Sequence, residues 1–593
     1  MNIFTKHPAL CRTALALAAV AITWGCKDLL ETSATPQGAL NESTLANLTG
    51  VEGSLIAAYR ALDCTDSNFA FGGCSASNWG LGSVPSDDAY KGSEAQDFPD
   101  MTDIENYHWG SSGVEGILNN KWQQVYEGVV RANSTLRLLK EVQTSNPAAV
   151  SADAAKGIQG EAIFLRAHYH FEAWRVWGNI GYYREDDHDF QKPNLTSDQV
   201  AAELLKDLDQ AISLLLSTPR NGQVGRVTSW TAKAYKGRVQ AYAGQWAEAL
   251  KTLQDVKNNG PYALEPSYDR VWTGFKEFEN GKETILAYQA SANDGDPNGN
   301  NANTGERLNF PHSGSHFGCC GFHQPSQNLV NFFQVDANGL PLSLSSPSTW
   351  NARNDNLDAK ASANVALDPR LDWTVGRDGV PYKDWGPHDP TWIRAPGFSG
   401  PYSPKKMQHE KASGAESNVG WVPTQLNSDN IHLYRYADLL LMLAEAEVES
   451  GSLENARAIV NQIRTRAGAK AQGPGTDRAS IAVPLNDPSI TWAKYKVGLY
   501  TQPWTDKNAA RDAVRTERRL ELAMEGQRFF DLRRWKIAEQ VLNAYVAVEK
   551  NRRSYIAAAE PFTSRHLLYP IPQVQIELSK AGSTSNLKQN PGW

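Results

Sequence analysis

Apolar residues recur at helical spacing through the first half of the chain. Leu118, Trp122, Val125 and Val129 stand three and four apart and lead into Ala132, Leu136 and Leu139, which predicts an amphipathic helix. Ile158, Ala162, Leu165 and Tyr169 mark one side of a second helix over residues 151–177. Two later stretches share a repeat. In 226–257, Gly237 and Ala249 lie twelve apart with Leu253 and Val256 behind them; in 433–463, Ala444, Ala456, Val460 and Ile463 take the same offsets. Small residues at those places let the two helices of a pair cross closely, which is the tetratricopeptide spacing. The expectation is a mostly α fold, a solenoid of helix pairs.

Between 260 and 430 this periodicity disappears. Gly, Pro, Asn and Ser cluster in NDGDPNGNNANTG, SLSSPS, GPHDP and RAPGFSGPYSP. Aromatic residues are spread through the stretch: Trp272, Phe317, Phe322, Trp350, Trp373, Trp385 and Trp392. Each has two readings, a pin that fixes a loop to the body or a surface that meets a ligand. Long loops on a rigid body usually carry function, which favours a ligand surface somewhere among them.

The N-terminus adds a processing signal. Lys6 and Arg12 accompany a ten-residue apolar run, TALALAAVAI, over 13–22. Such a run is far too short to cross a bilayer. It ends in Gly25-Cys26, which resembles the lipobox of a bacterial lipoprotein. The expectation is a signal peptide over 1–25 and lipidation of Cys26, palmitate included, so that the mature chain is anchored and not embedded. Export permits disulfides. Cys64 and Cys74 bracket a glycine-rich loop they could close, and Cys319-Cys320 either bridge one another or stay free.

Composition narrows the function. A formal net charge of −7 gives no concentrated basic surface for nucleic acid. Eighteen Trp and 21 Tyr are many for 593 residues, and both suit half-wet recognition surfaces.

Three motifs invite chemistry. ERRLELAMEGQRFFDLRRW, 517–535, carries Glu517, Glu521, Glu525 and Asp531 among five arginines. A glycosidase needs one carboxyl free of cations so that its pKa can rise; here every acid has an arginine nearby, which predicts a structural salt-bridge network and no catalytic residue. His312, His316, Cys319, Cys320 and His323 contain zinc-ligand types, but adjacent cysteines rarely both reach one tetrahedral ion, so no metal is expected there. Asp294, Asp296 and Asn298 open like a calcium loop, yet Gly305 stands where the twelfth-position acid belongs. No cofactor is expected.

Blocks along the chain resemble the SusD/RagB family: GEAIFLRAHYHFEAWRVWGNIGYY (160–183), GRVTSWTAKAYKGRVQAYAGQW (225–246), RYADLLLMLAEAEVESG (435–451), VNQIRTRAG (460–468), the 517–535 block, LYPIP (568–572) and the terminal QNPGW. The resemblance implies four tetratricopeptide-like helix pairs and a loop-rich half that carries the ligand site. It divides the mature chain into 26–259 and 260–593, the latter loop-rich over 260–430 and helical over 431–547. The implied task is capture of oligosaccharide at the cell surface, or peptide in some members, and delivery to a SusC-like TonB-dependent transporter. Cys26-Lys27-Asp28 resembles the family's surface-export tag and implies an anchored protein facing the exterior. Trp79, Tyr107 and Trp109 from the N-terminal loops, with His316, Phe317 and Phe322 from the irregular half, are the expected ligand-binding residues.

Overall fold

The computed structural model describes residues 45–64, 71–187, 191–312, 314–420, 425–471, 483–484 and 493–593. The signal segment and Cys26 lie outside the described residues.

The body is built from α1 (Leu48–Arg60), α2 (Ser112–Ser145), α3 (Ala152–Trp177), α4 (Ser197–Leu214), α5 (Ser229–Tyr242), α6 (Trp246–Asn259), α7 (Tyr436–Ser450), α8 (Leu453–Ala467), α9 (Lys507–Leu522), the short α10 (Arg528–Arg534) and α11 (Ala538–Glu549), of which α2, α3 and α5 to α8 lie where the apolar stripes predict helices. Their starts are written in the sequence. Ser111, Ser151, Ser452 and Asp506 cap α2, α3, α8 and α9 by accepting a backbone N–H of the first turn. Thr196 and Thr228 form capping boxes with Gln199 and Thr231.

From α2 to α9 each helix packs on the one before it, across the irregular insertion between α6 and α7. This is the tetratricopeptide-like array. The repeat residues sit at its crossings: Ala249, Ala444 and Ala456 are fully buried, and a Cβ on Gly237 would lie 2.4 Å from Leu253. A larger residue would push α5 off α6.

Helix α3 is buried nearly all round, and its C-terminus shows how distant segments lock the body. The last four carbonyls of a helix have no partner within it. Here Trp174 O accepts from Gly178 N at 2.9 Å, Arg175 O from Arg533 at 2.7 Å, Val176 O from Tyr569 N at 3.2 Å and Trp177 O from Asn590 Nδ2 at 2.8 Å. Two of these donors belong to the LYPIP and QNPGW segments. Placing the Arg533 guanidinium at the negative end of the helix dipole stabilises a cation that has no carboxylate within ion-pair distance among the described residues.

The irregular half is tied down by short ladders. Strand β1 (Ala89–Gly92) pairs antiparallel with β3 (Phe322–Pro325), and β2 (Thr284–Tyr288) with β4 (Ile431–Arg435). The β2–β4 pair clasps the insertion at its base, and β1–β3 draws the N-terminal loops onto it. Small aromatic cores fill the rest: Phe310, Phe317, Tyr382, Trp385 and Trp392 form one, and Tyr268, Trp272 and Trp373 another. The pin reading therefore holds for most loop tryptophans. Cys64–Cys74 and Cys319–Cys320 are both disulfide-bonded.

Candidate functional site

The 517–535 block is not one helix. Its backbone leaves α9 after Leu522, passes through left-handed conformations at Met524 (φ +65°) and Gly526 (φ +69°), and resumes as α10. Gly526 is required by contact as well as by φ, since a Cβ there would lie 1.8 Å from Ser77 O. Every acid is matched. Glu517 meets Arg370 and Arg464, both at 2.8 Å; Glu521 meets Arg435 at 2.7 Å, Arg370 at 3.0 Å and also Arg466. Glu525 lies 2.7 Å from Arg435 and 2.9 Å from Lys406, and Asp531 bridges Arg518 and Arg534 at 2.7 and 2.8 Å. Burial pushes the Glu521 carboxyl up, but the three guanidiniums outweigh it and hold the group far below its ordinary range. A carboxyl held this way keeps no proton for a general acid to donate.

Five of the six aromatic residues expected to bind ligand lie in the core. Trp79, Tyr107, Trp109, Phe317 and Phe322 are at most 2% exposed, so none presents a ring face to solvent. The two loop regions do meet: Trp79 and Phe322 have centroids 6.4 Å apart, brought together by the β1–β3 ladder, but they meet inside. Trp109 stacks on Tyr569 at 4.0 Å and Tyr107 sets its edge on Phe562 at 5.2 Å, a cluster closed by the C-terminal segments. The expected platform is therefore a packing element. His316 alone of the six is exposed, its ring 5.6 Å from Trp385 and 6.2 Å from Trp392.

The two metal-like motifs are otherwise engaged. Cys319 and Cys320 are bonded to each other, and the Asp294 and Asp296 carboxylates accept from amides of their own loop, including Asn301 Nδ2 at 2.9 Å and Asn298 N at 2.8 Å.

Trp350 differs from its neighbours. It is half-buried against the edge of Phe332, 5.3 Å away, and lines a groove of about 840 Å³. The opposite side is α11 with the residue that precedes it: Ile537, Val541, Ala544 and Val548 recur at spacings of four, three and four, and Val548 is 40% exposed. Here an apolar helical stripe faces open space where it would ordinarily be covered. Polar groups rim it. Arg552 donates to Asn354 Oδ1 at 2.7 Å and Asn351 Oδ1 at 3.1 Å, and is held in turn by Glu549 at 3.0 Å. Fixing the two amide oxygens leaves both Nδ2 groups without an acceptor among the described residues, ready to donate elsewhere. An apolar wall with a few oriented donors is the makeup of a small-molecule site, and sugars with their C–H faces and hydroxyl rims fit it. Trp350 was visible in the sequence as one loop tryptophan among several. The wall that faces it, α11 with Arg552, comes from residues nearly 200 positions away, and no local pattern announces it.

Comparison with known proteins gives a consistent result. Residues 282–593 match the family described as SusD family, and residues 74–240 match one described as starch-binding associating with outer membrane. A SusD-like protein, P38, of Formosa agariphila is 23% identical over 483 residues, covering 79% of this chain and 81% of the relative. Among solved structures, a SusD-like protein from Bacteroides fragilis superposes with a TM-score of 0.66 at 19% identity, covering 95% of this chain and 100% of the other. Surface glycan-binding protein A from Bacteroides thetaiotaomicron, solved in complex with laminarihexaose, gives 0.62 at 19% identity over 92% and 99%.

Proposed function

This chain belongs to the SusD family, and on that premise we propose that it is a non-catalytic glycan-binding lipoprotein of the outer membrane, anchored through Cys26. It holds oligosaccharide in the Trp350 groove and passes it to a SusC-like TonB-dependent transporter. The groove carries the reading: a half-exposed indole and an uncovered apolar stripe lie beside amide donors already oriented by Arg552. The glycan named in the structure of the Bacteroides thetaiotaomicron protein and the outer-membrane association named for the 74–240 match both support it. The full matching of acids in the 517–535 block supports the absence of catalysis.

The test is calorimetric titration of an oligosaccharide panel, with chromatography of the same mixtures for products. An aromatic face adds about 0.5–1.5 kcal/mol beyond the area it covers, so Trp350→Ala is expected to weaken binding roughly three- to tenfold at unchanged melting temperature. Undiminished affinity in the folded variant refutes the location. Shortened products that appear with the wild type refute the non-catalytic reading.

A further inference from the structure

One side chain in the groove is not accounted for by neutral sugar. Arg515, on α9, lines the groove together with Trp350, Asn351 and Asn354. It belongs to a set of three guanidiniums around the Trp535 ring: Arg515 at 5.0 Å, Arg534 at 5.1 Å and Arg528 at 6.0 Å from the centroid. Two of the three are neutralised. Arg534 pairs with Glu445 at 2.6 Å and Asp531 at 2.8 Å, and Arg528 with Asp87 at 2.7 Å. Asp87 is itself shared with Arg519 at 3.0 Å and has no charge to spare. Arg515 has neither an ion pair nor a hydrogen bond among the described residues. Glu445, already paired with Arg534, and Asp512, one turn earlier on α9 and itself lining the groove, act on Arg515 only from beyond ion-pair distance. The indole holds the guanidinium in place while its N–H fork stays unused, and a planar fork of that kind matches a carboxylate or a sulfate in two parallel hydrogen bonds.

We propose that the groove selects an acidic saccharide, with Arg515 receiving a carboxylate or sulfate group on a sugar whose ring lies against Trp350 and the α11 stripe. This rests on the reading of the groove as the glycan site and adds the ligand class to it. Arg515 acts as a specificity determinant: it has no part in holding the ring, which is the task of the apolar wall and the amides.

The experiment titrates the whole soluble chain with a trisaccharide of galacturonate, its methyl ester, and a sulfated galactose oligosaccharide with its desulfated counterpart. The expected result is at least about tenfold tighter binding of one charged member over its neutral partner, weakening as salt rises. The carboxylate and sulfate pairs tell the two sources apart. Arg515→Gln is expected to bring the charged ligand down to the affinity of the neutral one, Arg515→Lys to keep part of the preference, and neither to change neutral binding. Should Arg515→Gln fail to fold, Arg515→Lys together with the wild-type salt dependence decides. Equal binding of charged and neutral partners by the wild type overturns the acidic class alone, provided that Trp350→Ala still weakens both. A charge preference that survives in folded Arg515→Gln overturns the role of Arg515. Affinity for every member that is indifferent to Trp350→Ala, or no affinity for any, overturns the underlying groove reading as well.

Discussion

Glu521→Gln tests the central claim about the charged block. The carboxylate is fully buried and receives Arg435 at 2.7 Å, Arg370 at 3.0 Å and Arg466, all of them buried. Glutamine keeps the shape but removes one negative charge and turns an amide N–H₂ toward guanidinium donors. Arg370 and Arg435 retain other acids, Asp368 at 2.7 Å and Glu525 at 2.7 Å, so the surplus positive charge is spread over the cluster and not left on one group. Breaking a buried pair from one side costs about 3–5 kcal/mol. That is a large part of the roughly 5–15 kcal/mol by which folded domains are stable, and it changes the unfolding constant by about two to three and a half powers of ten. Urea denaturation followed by tryptophan fluorescence measures it. The midpoint is expected to fall well below that of wild type with the slope unchanged, and glycan affinity at low urea is expected to stay the same. A wild-type midpoint would refute the stabilising role of the network, and a normal melt combined with loss of a hydrolytic activity would reassign the block to catalysis.

Trp109→Ala removes an indole that is 1% exposed, stacked on Tyr569 and donating from Nε1 to Ile104 O at 2.9 Å. About 3–5 kcal/mol of stability should be lost, read as an earlier melt, with unchanged ligand affinity in the folded fraction; weaker binding at an unchanged melt would restore its role as a ligand residue. Acid is expected to destabilise the fold in two stages. Burial holds His168 at about 4 and His323 at about 3, so below an unfolded value of about 6.5 the unfolded chain takes up protons first and stability declines. Burial pushes Glu172 and Asp87 up, but Arg175 beside the first and Arg519 and Arg528 beside the second outweigh it and bring both to about 2. Their contribution is complete above the unfolded carboxylate value of about 4 and is lost as pH falls through about 2. Melting temperatures from pH 8 to 2 check this, and a flat profile below pH 6.5 would contradict it.

Much of the body was legible in the chain. Helical stripes, capping residues and small residues at Gly237, Ala249, Ala444 and Ala456 act over one or two turns, so local sequence is enough to place the helix pairs. The charged block reads as structural because its acids and arginines are near neighbours in sequence, yet among those acids Asp531 alone pairs with arginines of the block, and Glu517, Glu521 and Glu525 take theirs from outside it. Its outside partners Arg370, Arg435, Arg464 and Arg466 could not be known, because they arrive from the insertion and the neighbouring helices.

The ligand surface was another matter. Aromatic type alone does not say whether a ring is a pin or a platform; that depends on what the fold lays over it. The LYPIP and QNPGW segments close over Trp109, and the β1–β3 ladder buries Phe322 beside Trp79, while nothing among the described residues covers the α11 stripe opposite Trp350. The sequence by itself determined α2, α3 and the α5–α6 and α7–α8 pairs, because those follow from short-range periodicity. Which tryptophan remains at the surface, and which arginine around Trp535 is left without an acid, were decided by long-range packing, which only the tertiary structure fixes.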